Sequence, residues 1–289
     1  MKNSCILLVI FLGASFISKG QPTATKRSTL PANNCVNYKF AKSAFASGEA
    51  LTYAMSYTLM FMWTDVGEVT FTATDAKYGG KDALHFKAVG KSYPFYDNFF
   101  RVRDVYESWV HPQTLKPFYF NREVDEGGYT IRNIYTFNWD SNSLYTYIKR
   151  KNKPEKRDTL SVLPCSIDVV SVLYYCRNID YSNAKQNQKF PVSLALDNEI
   201  YTVIYRYQGK DQIDVKGLGR FKCLKFGVGL VKGSVFTGKE ELTVWITDDD
   251  NRIPIYLESP IKVGTVRGRV IGMKNLKYPL TSKVQPQAN

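Results

Sequence analysis

Apolar and polar residues alternate with a period of two along much of the chain, most clearly from Glu240 to Lys274. Leu242, Val244 and Ile246 alternate with Glu241, Thr243, Trp245 and Thr247, the mark of a strand with one buried face. Asp248, Asp249, Asp250 and Asn251 follow, and their short side chains bond their own backbone and tolerate left-handed geometry, so the chain reverses there. Ile253, Ile255 and Leu257 run back, Ser259-Pro260 punctuates, and Ile261, Val263 and Val266 to Met273 begin a third strand. The pattern predicts an antiparallel meander.

The same alternation starts upstream with Leu51, Tyr53, Met55 and Tyr57, and continues with Val69, Phe71 and Ala73 before a Gly79-Gly80 turn. Pro94 and Asp97-Asn98 interrupt it, predicting a short irregular or helical piece that feeds a strand ending near Trp109. Phe118 to Val124 and Tyr129 to Phe137 read as a hairpin across Gly127-Gly128. Leu144 to Lys149 pairs on, and Lys149 to Arg157 reads as a basic loop. Later strands are expected at Phe190–Leu196, Ile200–Tyr207, Gln212–Val215 and Arg220–Val231, after a polar loop from Asp180 to Lys189.

Pro164 to Arg177 is the one stretch that reads as a helix. Ser166 is placed to cap it, Asp168 to sit in its first turn and Arg177 to close its last. Its interior is apolar nearly all round, which predicts burial against the sheet, although its β-branched residues leave a strand as an alternative. The fold class is therefore mainly β: a large curved antiparallel meander, open barrel or sandwich-like, with one short buried helix.

Residues 1–20 join a positive start at Lys2 to an apolar run too short to span a bilayer, and predict a signal peptide cleaved near Gly20. Residues 21–34 read as a disordered leader, 35–280 as a single β-rich domain, and 281–289 as a flexible tail. Cleavage removes Lys2 and Lys19 and lowers the formal net charge from +13 to +11. In an exported, periplasmic or secreted protein that surplus points to anionic lipid, acidic glycan or plain solubility rather than to nucleic acid. No mature segment is long and apolar enough to predict a membrane-spanning helix.

Four cysteines remain, Cys35, Cys165, Cys176 and Cys223. A helix from Ser166 to Arg177 holds Cys165 and Cys176 about 16 Å apart, beyond disulfide reach. A bridge between Cys35 and Cys165 is expected instead.

Gly48-Glu49-Ala50-Leu51-Thr52-Tyr53, Phe99 to Tyr106 and Asp168 to Tyr175 occur in that order before Leu242 to Gly268, which carries Trp245, Asp248-Asp249, Arg252-Ile253-Pro254, Glu258-Ser259-Pro260 and Val263-Gly264. As a set these closely resemble the exported domain-of-unknown-function family 3108, from roughly Phe45 to Lys277. The resemblance implies an exported, mostly β envelope protein. It brings no catalytic residues with it.

His85 and His111 stand in no metal-ligand spacing, and neither a nucleophile elbow nor a phosphate-binding glycine loop is present, so no cofactor is implied. The Asp248–Asn251 run lacks the spacing, central Gly and terminal Glu of an EF-hand and reads as turn chemistry. Arg252 and Glu258 could pair across the same hairpin. Lys149, Arg150, Lys151, Lys153, Lys156 and Arg157 form either a solvated loop or a contact for anionic lipid or glycan. The aromatic run from Tyr93 to Trp109 either packs a satellite core or lines a pocket.

The leading expectation is a non-enzymatic exported protein holding an apolar or amphipathic envelope ligand, such as a lipid, between the helix and the concave sheet face. Phe95, Phe99, Phe100, Val170 and Tyr174 are its candidate lining. An assembly or interaction factor docking on another envelope protein is the alternative. A hydrolase comes third, and a buried carboxylate pair or a Ser-His contact would favour it.

Overall fold

The structure, a computed structural model, describes residues 36, 38, 40, 42–59, 62–229, 241–260 and 264–285. The expected signal peptide, its cleavage point, the leader, Cys35 and residues 286–289 of the expected tail lie outside the described residues.

The first meander comprises β1 (Glu49–Leu59), β2 (Met62–Tyr78), β3 (Lys81–Ser92), helix α1 (Pro94–Phe100), β4 (Val102–Val110), β5 (Pro117–Glu126), β6 (Tyr129–Asn138), β7 (Ser143–Arg150) and β8 (Lys156–Ser161). The short strand β9 (Ser166–Asp168) and helix α2 (Ser171–Asn178) follow. The second meander is β10 (Lys189–Leu196), β11 (Glu199–Val215), β12 (Gly219–Gly229), β13 (Glu241–Thr247), β14 (Pro254–Pro260) and β15 (Thr265–Lys274). All fifteen strands form one sheet in the order β8-β7-β6-β5-β4-β3-β2-β1-β15-β14-β13-β12-β11-β10-β9. The first and last long strands thus pair at its middle, and every neighbouring pair is antiparallel except β9 with β10.

This order imposes a closure problem. Fourteen strand spacings of about 4.8 Å would hold the edges of a flat sheet about 67 Å apart. Yet β8 and β9 are the two edges and are consecutive in the chain, joined through residues 162–165, a link that spans at most about 18 Å. The sheet must curl until its edges approach. Bulges at Thr52/Tyr53, Met55/Ser56, Trp109/Val110 and Trp245/Ile246 supply local bends. The edges do not pair with each other, so the barrel stays open. Behind the link, β9 lies inside the first meander, where Ser108 Oγ of β4 donates to Asp168 Oδ2 at 2.6 Å.

The helix is shorter than its sequence suggested, because residues 166–168 are extended and pair with β10. Both readings of that segment hold, one after the other. Asp168 therefore precedes the helix rather than entering its first turn: its Oδ1 accepts from the Val170 and Ser171 amides, both at 2.9 Å, and turns strand into helix. Ser166 does not cap; its hydroxyl bonds Ser193 Oγ at 2.8 Å. A second helix, α1, occupies the break at Pro94 and has no buried residue.

Three further expectations change. The basic stretch from Lys149 to Arg157 is a loop only over residues 151–155: Lys149 and Arg150 end β7, and Lys156 and Arg157 begin β8, which is exposed along nearly its whole length and so lacks any alternation to read. Ile200–Tyr207 and Gln212–Val215 are one strand, continued through a bulge at Gly209 where φ is +107°. Residues 281–285, expected in the tail, are tied down: Ser282 Oγ donates to Asp249 Oδ2 at 2.6 Å and the Val284 amide to Arg220 O at 2.9 Å.

One buried joint ties these parts together. Arg177, in the last turn of α2, grips Glu49 of β1 with Nη1–Oε1 at 2.5 Å and Nη2–Oε2 at 2.8 Å, and both side chains are essentially inaccessible. Its Nε donates to Asn251 O in the β13–β14 turn at 3.0 Å, and Nη2 also reaches Ala44 O at 3.1 Å. Removing one partner of such a pair strands the other charge in a dry interior. Arg177→Met is thus expected to lower the unfolding free energy by about 3–5 kcal/mol in a urea titration; a loss below about 1 kcal/mol, the scale of an exposed pair, would show that the joint is not structural.

Candidate functional site

Helix α2 divides the interior unequally. Val170 and Tyr174, one turn apart, face the first meander and are fully buried; the Tyr174 ring stacks on Phe86 at 3.9 Å and meets Phe45 edge-on at 4.9 Å. Val172, Leu173, Cys176 and Arg177 face the second meander, where packing is incomplete. A cleft of about 90 Å³ lies between them and Tyr205, Phe226, Val244 and Leu257.

The few polar groups on this lining carry no net charge at neutral pH. Burial pushes the Cys176 thiol up to about 12, and burial likewise drives the Tyr181 and Tyr205 phenols well above their ordinary range. Arg177 is neutralised by Glu49, and the Tyr181 hydroxyl donates to Cys176 O at 2.9 Å. The cleft suits an uncharged, apolar group. At about 90 Å³ it falls below the roughly 300–1,000 Å³ of a small-molecule pocket, so it accommodates the end of a chain rather than a whole ligand.

A larger groove of about 650 Å³ lies on the outer face of β6–β8, between Arg132, Tyr145, Tyr147 and Arg157. It is open to solvent, and its two arginines already face Glu123 and Glu155. A ligand there would exchange water contacts for little burial.

Over residues 52–270 the chain matches the profile of a protein of unknown function, DUF3108. The chain belongs to the DUF3108 family. No curated protein matches it. Among solved structures it is similar to the crystal structure of a β-barrel-like protein of domain of unknown function DUF1849 from Brucella abortus, with a TM-score of 0.53 and 8% identity over 81% of this chain and 99% of that one. At that identity the likeness concerns the fold alone.

In this DUF3108 protein the five expected lining residues do not share a pocket. Val170 and Tyr174 are packed solid, Phe95 and Phe99 project into solvent from α1 with 66% and 75% of their surface exposed, and Phe100 folds over Gly127. The cleft uses the neighbouring stripe of the helix instead. An apolar pattern nearly all round α2 could not tell which stripe would face a void.

Cys165 is buried and is not one of the free thiols, which are Cys176 and Cys223; its expected partner Cys35 lies outside the described residues. His111 Nδ1 accepts from two amides of its own turn, and His85 stacks on Trp109 at 4.3 Å beside Glu107. Asp249 is consumed by the turn, accepting from Thr247 Oγ1, the Asn251 amide and Ser282 Oγ. Glu258 pairs with Arg267 at 2.6 Å rather than with Arg252, which turns to the Ile179 carbonyl.

Sequence reading missed a polar centre at the far side of the interior. Asp104, Arg122 and Glu126 lie on the inner face of β4 and β5, and the β10–β11 hairpin tip covers them, placing Asp197 against Arg122 at 2.5 Å. The tip needs two left-handed residues, and Asp197 and Asn198 take φ of +48° and +62°. Arg122 Nε and Nη1, Asp197 Oδ2 and Asn133 Oδ1 are buried without a protein partner among the described residues. Neither cleft is lined by any of them.

Burial, then the charge of Glu126, pushes the Asp104 carboxyl up; burial does the same to Glu126. Both carboxyls are thus pushed toward their neutral forms, as adjacent acids in a dry site are. A carboxyl whose folded pKa is raised stabilises the fold below its unfolded pKa, and that contribution is lost as pH rises through the folded value. Asp104→Asn, which mimics the protonated acid, is therefore expected to flatten the fall in Tm between about pH 5 and about pH 9 by differential scanning fluorimetry. A mutant with the wild-type pH slope would contradict the raised Asp104 carboxyl.

Proposed function

We propose that this DUF3108 protein is a non-enzymatic exported protein that holds an apolar or amphipathic envelope ligand by its apolar end. The cleft beneath α2 carries the reading: it lies between helix and sheet, is almost wholly apolar, and its one lining cation, Arg177, is neutralised by Glu49. A lipid tail entering it would exchange water for Leu173, Phe226 and Leu257, at about 25 cal/mol for each Å² removed from water. The phenols of Tyr181 and Tyr205 are the polar anchors at hand.

Export fits the charged start and short apolar run of residues 1–20, and an oxidising compartment would allow Cys35 to close onto Cys165. A hydrolase reading asks for a reactive group open to substrate. The buried carboxylate pair Asp104 and Glu126 is roofed by the β10–β11 hairpin, and Ser108 and Ser171 are committed to Asp168 without a histidine among their bonds.

One measurement tests these readings together: native and intact mass spectrometry of protein purified gently from its own envelope fraction. The expected mass is that of residues 21–289, lighter by two hydrogens for the Cys35–Cys165 bridge, with a non-covalent lipid-like adduct. Leu173→Trp and Val244→Trp, which fill the cleft from opposite sides, are expected to lose the adduct while Phe99→Ala keeps it. An adduct indifferent to both tryptophans would overturn the cleft as its site, absence of any adduct would overturn the ligand, and a full-length mass in the cytoplasm would overturn export.

A further inference from the structure

The two most exposed large apolar side chains of the described residues are neighbours. Phe95 and Phe99 stand four positions apart on α1, so they share its outward face, with ring centroids 5.6 Å apart. The other side of the helix is fixed to the barrel. Asp97 is held by Arg103, with Nη2–Oδ2 at 2.5 Å, and by Ser92; the Tyr96 hydroxyl bonds Thr64; the Phe100 ring lies over Gly127, where a Cβ would come within 2.8 Å of it. These contacts hold the phenylalanines outward. Trp63, adjacent to the Thr64 that Tyr96 bonds, is itself 40% exposed beneath the Arg267 guanidinium, which sits 3.4 Å from its ring centroid.

The same rim is basic. The Gly127 amide donates to Arg101 O at 2.8 Å and so joins the end of α1 to the β5–β6 turn. The Lys151 amide donates to Thr130 O at 2.9 Å, and its ammonium bonds Gly128 O, so the β7–β8 turn lies beside that. The turn is drawn tight by Lys149 Nζ on Lys153 O at 3.0 Å, and Arg101, Lys149, Lys151 and Lys153 are all exposed. Asp97, the one acid of α1, is spent on Arg103. Three consecutive loops of one barrel end thus present outward rings flanked by exposed cations.

We infer that this rim docks the protein on an anionic lipid surface, with Phe95 and Phe99 entering the headgroup boundary and Arg101, Lys151 and Lys153 lying against the phosphates. Outward rings without a cationic border would suit any apolar partner, and lysines without the rings would suit any solvated surface. Their combination on one edge is what a bilayer interface rewards, because buried apolar area and attraction to anionic lipid add. The placement also explains why an aromatic helix stays outside the barrel.

The test is co-sedimentation of the mature protein with vesicles of phosphatidylcholine alone and of phosphatidylcholine with about 30% phosphatidylglycerol. Binding is expected to the anionic vesicles only, and to weaken with added salt as screening sets in. Phe95→Ser/Phe99→Ser is expected to lose roughly tenfold or more per ring, and Lys151→Glu/Lys153→Glu at least about fivefold per charge, with Tm unchanged in both because these side chains contribute little to the core. Equal binding by wild type and both variants, or no binding to anionic vesicles, would overturn the proposal.

Discussion

The constraint on which the rest depends is the short link between β8 and β9. It joins the two edges of a fifteen-stranded sheet and so dictates that the sheet curls. A curled sheet encloses a volume, and the chain enters that volume directly after the link. β9 and α2 are therefore interior elements by connectivity, before any side chain is considered. Two inserts then fill the space: α2 in the middle, and the tip of the β10–β11 hairpin at the side of the first meander. Helix α2 spans two turns, about 12 Å, and packs tightly on one side only, which leaves the cleft on the other.

Electrostatics decides how that interior is held. Burying Arg177 and Glu49 costs several kcal/mol per ion, and the bidentate contact with its extra carbonyls offsets that cost without an obvious surplus. What the pair supplies is position: one guanidinium touches the first strand, the residue before it in space at Ala44, and the turn before the last two strands. The polar centre around Arg122 works differently, because several of its atoms have no protein partner among the described residues and burial pushes two of its carboxyls toward their neutral forms. The first joint is satisfied and fixes the helix; the second is strained by desolvation and responds to pH.

Strands with one wet face were legible in the sequence because each buried residue is followed by a half-buried or exposed one, as in β4 from Val102 to Val110. β8 was not, because it is wet on both faces, and β9 was not, because it is dry on both and lies against a helix of similar composition. The site was half legible. An apolar lining under the helix follows from an apolar helix against a curved sheet, but the choice between the Val170/Tyr174 stripe and the Leu173/Cys176 stripe depends on which meander packs closer. Phe95 and Phe99 misled for a simple reason: apolar residues are ordinarily inside, and here they are outside. Arg177 looked like a helix-dipole partner, and its real partner lies 128 residues earlier in the chain, beyond any local pattern.

The account therefore rests on an interior that is neutral and apolar under α2 even though a charged pair adjoins it. Xenon reports such a space directly, since a dry apolar cavity takes up the gas and a polar one keeps water. A crystal of the protein pressurised with xenon is expected to show an atom between Leu173, Phe226 and Leu257. Hydrogen-bonded water at that position, with no xenon, would contradict the account.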